Sequence, residues 1–79
     1  MQESALQALV PLAVYRQPRE HIFPSQGSLD WYVRIHKSAL VEAGALLLVG
    51  RTWHAHADRF DQAVIAISSK AAAAALLAG

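Results

Sequence analysis

Residues 23–56 read FPSQGSLDWYVRIHKSALVEAGALLLVGRTWHAH. Ser25 and Ser28 are both good N-caps for a following helix, and Gly44 provides a C-terminal stop. Between them, residues recur with the i, i+3, i+4, i+7 spacing of one inward helix face: Leu29, Tyr32, Val33, His36, Leu40 and Ala43. The pattern therefore predicts a tight turn followed by an amphipathic helix over residues 28–43.

The period of the pattern changes after this helix. Ala45–Val49 is a short apolar run bounded by glycines, which favours a strand, and Gly50–Arg51 favours a tight turn. Residues 52–57 alternate between polar and apolar types, as is typical of a return strand. We therefore predict a two-stranded β-hairpin after the long helix.

The N-terminal flank carries weaker signals. Prolines near both ends of residues 17–24 favour a helix of one to two turns, with Ile22 and Phe23 facing inward. Before it, residues 4–15 predict a short helical turn and then an extended segment, Leu12–Tyr15.

The C-terminal flank predicts a final helix that opens at Asp58. Its inward-facing residues are Phe60, Ala63, Val64 and Ile67. Ala71–Ala75 has high helix propensity but little to bury, so it either extends this helix or frays.

Composition bounds the class of protein. A chain of 79 residues is one small domain, and it has no cysteine for a disulfide, a thiolate nucleophile or a zinc site. The charged fraction is 16%, against a usual value of about 25%, which favours an apolar surface for a partner. The predicted fold class is α+β, mostly helical: a winged helix-turn-helix with a two-stranded wing. Within this single domain we expect an N-terminal arm (1–16), a core (17–70) and an Ala-rich tail (71–79).

No segment predicts export or membrane insertion. The first residues lack the basic region of a signal peptide. The apolar runs Ala43–Val49 and Ala71–Ala78 are far shorter than the ~20 residues that a membrane span needs. We therefore expect a cytoplasmic protein with no membrane partner.

The predicted element order favours DNA as the partner. In a helix-turn-helix the second helix enters the major groove with its N-terminal turn first. Arg34 could reach a guanine edge or a phosphate from that helix, and Arg51 at the hairpin tip could meet the DNA backbone. The net charge of +1 argues neither for nor against nucleic acid. The candidate DNA-binding residues are Ser25, Gln26, Ser28, Asp30, Trp31, Arg34, Lys37, Arg51, Thr52 and His54.

Residues 19–67 also resemble a known family, the small winged-helix proteins of bacterial mobile elements of the excisionase and prophage-regulator type. The matching segments are FPSQGSLDW at 23–31, GA at 44–45, GR at 50–51 and DRF at 58–60. The resemblance implies a regulator or architectural accessory factor of recombination, plasmid maintenance or transfer. It also implies binding to adjacent sites on double-stranded DNA, as dimers or arrays, with bending of the DNA.

A metal site is one alternative. His54, His56 and Asp58 could place two imidazoles and a carboxylate together, but no fourth ligand is evident unless His21 or His36 approaches. A solvent- or phosphate-facing strand explains the same residues, so we expect no metal and no cofactor.

An enzyme and a protein-binding adaptor are two further function classes. The sequence has no nucleophile elbow and no phosphate-binding glycine loop, so we expect no catalytic residues and no enzyme. The rival to DNA binding is a small adaptor that binds another protein. Low charge, together with Trp31 and Val41 on the outer side of the helix, favours that rival.

Overall fold

The computed structural model describes residues 4–78, so the first three residues of the predicted arm and Gly79 of the predicted tail lie outside it. Its elements follow in this order: α1 (Ser4–Gln7), β1 (Leu9–Pro11), α2 (Leu12–Arg16), a 3₁₀ turn (Gln17–Arg19), α3 (Gln26–Ile35), α4 (Lys37–Glu42), β2 (Leu46–Val49), β3 (Thr52–His56) and α5 (Ala57–Ala78). The predicted α+β, mostly helical class is confirmed.

The sheet has three strands, so the prediction of a two-stranded hairpin alone is wrong. β3 lies in the centre, with β2 antiparallel on one side and β1 antiparallel on the other. Val10 of β1 and Leu46 of β2 both lie opposite Ala55. Pro11 is tolerated because β1 is an edge strand, where a residue without an N–H need not break a ladder. The pairing joins segments about 45 residues apart, which a local pattern does not reveal.

The N-terminal flank also differs from the sequence prediction. The extended segment is Leu9–Pro11, and Leu12–Arg16 is helical where Leu12–Tyr15 was expected to be extended. Pro11 precedes this helix with extended dihedral angles, φ −58° and ψ 151°. Tyr15 is buried against the ring of Phe60, with the ring centroids 4.5 Å apart. The residues predicted as an arm thus contribute a strand and a core side chain.

The predicted helix over 17–24 is reduced to the 3₁₀ turn at Gln17–Arg19. Phe23 is buried, as predicted, because the chain turns it toward Tyr32, where the two rings meet edge to face. Ile22 is exposed, which contradicts its predicted inward position.

The long central helix begins two residues earlier than predicted and is broken at His36. Ser25 is its N-cap, and its side chain accepts a hydrogen bond from the Ser28 N–H. At His36 the dihedral angles leave the helical region (φ −110°, ψ 24°), which separates α3 from α4. The inward face is otherwise as predicted, with Leu29, Val33 and Leu40 buried, while Ala43 is exposed.

The core lies between the helices and one face of the sheet. Its buried members are Tyr15, Phe23, Leu29, Val33, Leu40, Ala45, Leu46, Ala55, Phe60 and Ala63. α5 contributes through its first two turns and then continues as one helix to Ala78, so the Ala-rich stretch extends it.

α5 is also long and apolar enough to cross a membrane by length and composition. Residues 71–78 are therefore the end of a longer apolar helix and not the separate short run expected from the sequence. A span over the whole of α5 would have to withdraw Phe60 and Ala63 from the core, so length and composition are weak evidence here.

Candidate nucleic-acid interface

The N-terminal turn of α3 is held by a reciprocal cap. The Ser25 hydroxyl accepts from the Ser28 N–H at 3.1 Å, and the Ser28 side chain accepts from the Ser25 N–H at 3.2 Å. Gln26 donates its Nε2 to Asp30 Oδ1 at 3.0 Å. The first turn of α3 carries no acidic residue, but its Ser28 N–H is already capped and the Asp30 carboxylate is bonded to Gln26. The remaining first-turn N–H groups and the helix dipole are therefore what favour a phosphate there.

The outer side of α3 combines a cation with exposed apolar groups. Arg34 is exposed, and Trp31 and Ile35 are 56% and 54% exposed. Asp30 is spaced to pair with Arg34, yet within residues 4–78 its carboxylate is hydrogen-bonded to Gln26 and forms no ion pair. The guanidinium of Arg34 is therefore available to a ligand.

Lys37 does not continue the outer face of α3. It is the first residue of α4, and its Nζ lies 4.7 Å from the centroid of the Trp53 ring. This cation–π contact directs Lys37 toward the hairpin. The break at His36 makes this possible, and the His36 ring lies 4.5 Å from that of Tyr32.

The hairpin tip is the predicted two-residue turn, Gly50–Arg51. Gly50 has φ +65°, a backbone conformation that a side chain disfavours, and Arg51 beside it is exposed. Thr52 opens β3 opposite Val49. The structure thus places Arg51 at the outermost point of the sheet.

His54 and Thr52 lie on the side of the sheet that faces away from the core. Residues of β3 alternate, and Ala55 points inward. The His54 ring is held by its own strand, with Nδ1 3.1 Å from the Thr52 carbonyl oxygen. These two candidates therefore lie apart from the first turn of α3, on another face.

The two strand histidines of the possible metal site, His54 and His56, make other contacts. His54 and His56 do share a strand face, but the Nδ1 of His56 accepts from the Arg59 N–H at 3.3 Å and caps the start of α5. Over residues 4–78 no group of three or more His, Cys, Asp or Glu side chains is arranged to hold a metal ion.

Sequence reasoning missed a polar cluster that joins the N-terminal elements to α5. Arg19 donates Nε and Nη2 to the two carboxylate oxygens of Asp61 at 2.8 and 3.0 Å. The Tyr15 hydroxyl donates to the same carboxylate at 2.7 Å. Burial, and then the bond to Asp61, raise the pKa of Tyr15, while the Arg19 hydrogen bond lowers the pKa of Asp61. No local signal marks this cluster, because its members are up to 46 positions apart.

Beside this cluster lies an open groove of about 450 Å³ between α5 and residues 18–23. Its walls include Ile22, Val64 and Ile65, and Arg19 and Asp61 are already bonded to each other. An open, mainly apolar groove with its charges paired suits an apolar side chain better than a reacting substrate.

Comparison of the chain with known proteins finds no matching family model, no matching curated protein and no matching solved structure.

Proposed function

We propose that this protein binds double-stranded DNA as a winged helix-turn-helix. On this proposal it regulates transcription, or acts as an architectural accessory factor, for a bacterial mobile element or plasmid, in the cytoplasm. The helix-turn-helix consists of α2 with its 3₁₀ turn, the loop at residues 20–25, and α3. The wing consists of β2, β3 and the tip at Arg51.

The observation that carries the proposal is the order of the elements in space. A short helix, a turn and a capped second helix are followed by a hairpin, whose returning strand also pairs with the strand that precedes the first helix. That order leaves two projections on the surface: the outer side of α3 and the tip of the hairpin. Each of them carries an exposed arginine, Arg34 and Arg51.

The chemistry of the two projections suits different parts of a duplex. Arg34 lies two turns into α3, where a guanidinium can bond the O6 and N7 of a guanine in the major groove. Arg51 at a glycine turn suits a phosphate. With Arg34 and Arg51 as the cations of these two projections, the slope of log K against log salt should be about −2 for one copy, or shallower.

Salt-dependent binding of two alanine variants tests these roles. Arg34→Ala should weaken binding to a selected site by about 1–3 kcal/mol and binding to random DNA much less. Arg51→Ala should weaken both equally and make the salt slope shallower by about one unit. The measurement is a salt titration of affinity for a selected site and for random duplex.

Arg59→Ala is the matched control. It removes the same charge from α5, beside Gly44 at the opposite end of the central helices, and should change neither DNA affinity. Equal loss for Arg34→Ala on both DNAs would make Arg34 a phosphate contact. If neither arginine variant lost affinity for DNA, α3 and the wing would not be part of the DNA interface.

A protein-binding adaptor is the second candidate, favoured by exposed apolar groups on the central helices. Trp31, Ile35 and Val41 are each close to half exposed or more. Failure of the protein to retard random duplex at low salt would contradict the DNA proposal and favour the adaptor.

A further inference from the structure

Half of α5 extends beyond the core. Every side chain from Ser68 to Ala78 is exposed, and Leu76 and Leu77 are 82% and 87% exposed. From Gln62 to Ala78 the only charged residue is Lys70. An amphipathic surface helix keeps a charged face in water, whereas a helix that is apolar on all sides is normally covered. The distal half of α5 therefore requires a covering surface.

The side of α5 that faces away from the core has a symmetric pattern. Ile65, Ser69, Ala72 and Leu76 follow one another at i, i+4, i+7 and i+11, which places them on one face. Large residues stand at both ends of this face and small ones in the middle. If two copies pair antiparallel, Ile65 of each meets Leu76 of the other, and Ser69 meets Ala72.

A two-fold interface needs this symmetry. If residue i of one copy contacts residue j of the other, then residue j of the first copy must also contact residue i of the second. Ser69 and Ala72 at the centre allow the two helix axes to approach closely. Lys70 lies on a different side of α5, so the pairing leaves its ammonium group in water.

The groove supplies a second part of the same surface. Ile65, at one end of the symmetric face, is also a wall of the 450 Å³ groove, together with Ile22 and Val64. In the antiparallel register Leu76 of a second copy comes alongside Ile65, and so reaches this groove. The bidentate pair of Arg19 with Asp61 keeps its own hydrogen bonds, so entry of a leucine leaves no charge without a partner.

We propose that the chain forms a two-fold dimer by antiparallel pairing of α5. Leu76 of each copy packs against Ile65 and into the groove of the other. The occupant is a second copy because the face is complementary to itself in one register. The dimer does not rest on DNA binding, and its test needs no DNA.

Two glutamate variants measured by analytical ultracentrifugation test the interface. Leu76→Glu should raise the dimer dissociation constant about tenfold or more, which is ~1.4 kcal/mol or more. Ala74→Glu introduces the same charge two residues away on the opposite side of α5 and should leave the constant near that of the wild type. Both positions are exposed in the single copy, so circular dichroism should show the same fold for both variants.

A wild-type chain that stays monomeric up to its solubility limit would overturn the proposal, as would equal weakening by the two variants. If that monomer floated with vesicles of phosphatidylcholine and phosphatidylglycerol, a lipid surface would be the occupant in place of a second copy.

Cysteine cross-linking tests the register. Because the chain has no natural cysteine, only the introduced thiols can form a disulfide. On oxidation, a mixture of Ile65→Cys and Leu76→Cys chains should form the mixed disulfide in preference to either homodimer. Faster cross-linking of Leu76→Cys to itself would indicate a parallel pair and contradict the antiparallel register.

Discussion

Arg19 is the side chain that joins the N-terminal elements to α5. Its guanidinium forms the bidentate pair with Asp61, donates Nη1 to the Tyr15 carbonyl oxygen at 2.9 Å, and lies 3.9 Å from the centroid of the Tyr15 ring. Paired bonds of this kind are among the stronger polar contacts of a protein. The Asp61 side chain is 42% exposed, so water screens the pair and its contribution to stability is modest.

The pair makes stability depend on pH in a defined direction. The hydrogen bond from Arg19 lowers the pKa of Asp61 in the folded state. The contribution of the Arg19–Asp61 pair to the free energy of unfolding is therefore complete above the unfolded pKa of Asp61, about 3.9. That contribution is lost as the pH falls through the lower folded pKa. We expect Asp61→Asn to be less stable than the wild type at neutral pH and to lose less stability on acidification.

Urea unfolding at neutral and acidic pH measures this difference. Asp58→Asn is the control, since Asp58 is exposed three residues earlier in α5 and forms no ion pair among residues 4–78. It should follow the wild-type acid dependence. Parallel acid curves for Asp61→Asn and the wild type would show that the Arg19 pair does not contribute.

At the scale of the elements, Gly44 determines where the central helices stop. Its φ is +73°, its N–H donates to the Val41 carbonyl, and the next N–H, of Ala45, donates to the Leu40 carbonyl. This is the Schellman arrangement at a helix C-terminus. It turns the chain directly into β2 and so positions the hairpin beside α4.

Alanine at two glycines should change stability with opposite signs. Gly44→Ala forces a side chain into the left-handed region and should cost about 1–2 kcal/mol. Its new Cβ would also lie 2.9 Å from Arg59 Nη1, which must move. Gly27→Ala lies in the first turn of α3, meets only Ser25 Oγ at 3.8 Å, and should stabilise by about 0.4–1 kcal/mol.

Chemical denaturation of both variants checks this pair. An unchanged midpoint for Gly44→Ala would mean that the end of α4 adapts without strain. A destabilised Gly27→Ala would mean that the first turn of α3 needs the freedom of glycine.

At the scale of the whole molecule, one core joins the three strands to α2, α3, α4 and the first turns of α5, while Leu6 of α1 and the distal half of α5 are exposed. β1 pairs with β3 across the chain, and Tyr15 near the N-terminus packs on Phe60 near the start of α5. A domain with one continuous core unfolds in a single transition.

The two tryptophans can test that cooperativity separately. Trp31 lies on α3 and Trp53 on β3, so Trp31→Phe and Trp53→Phe each leave one probe in a different element. We expect the two fluorescence transitions to coincide in thermal unfolding, with the same midpoint in the presence of a chelator. A lower midpoint reported by Trp31 would show that α3 unfolds separately, and a drop with chelator would restore the metal hypothesis at His54 and His56.

Local sequence signals were sufficient to predict the secondary structure in the middle of the chain. The signals here act over a few residues: capping serines, inward residues at helical spacing, and glycines at the two positive-φ positions. The sequence alone therefore determined a helical segment between Ser25 and Gly44 and a hairpin with Arg51 at its tip. The same spacing placed Leu29, Leu40 and Phe60 in the core. The exposure of Arg34 and Arg51 also follows from these local patterns.

Only the tertiary structure decided the rest. β1 exists because Leu9–Pro11 finds the free edge of β3, and the break at His36 directs Lys37 onto Trp53. Asp61 is bonded to Arg19 at a separation of 42 positions. These contacts depend on segments that meet only after the core has formed, so their free energy is absent from any short window of sequence. The same reason explains why α5 packs on the core through Phe60 and Ala63 in its first turns and is exposed from Ser68 to Ala78.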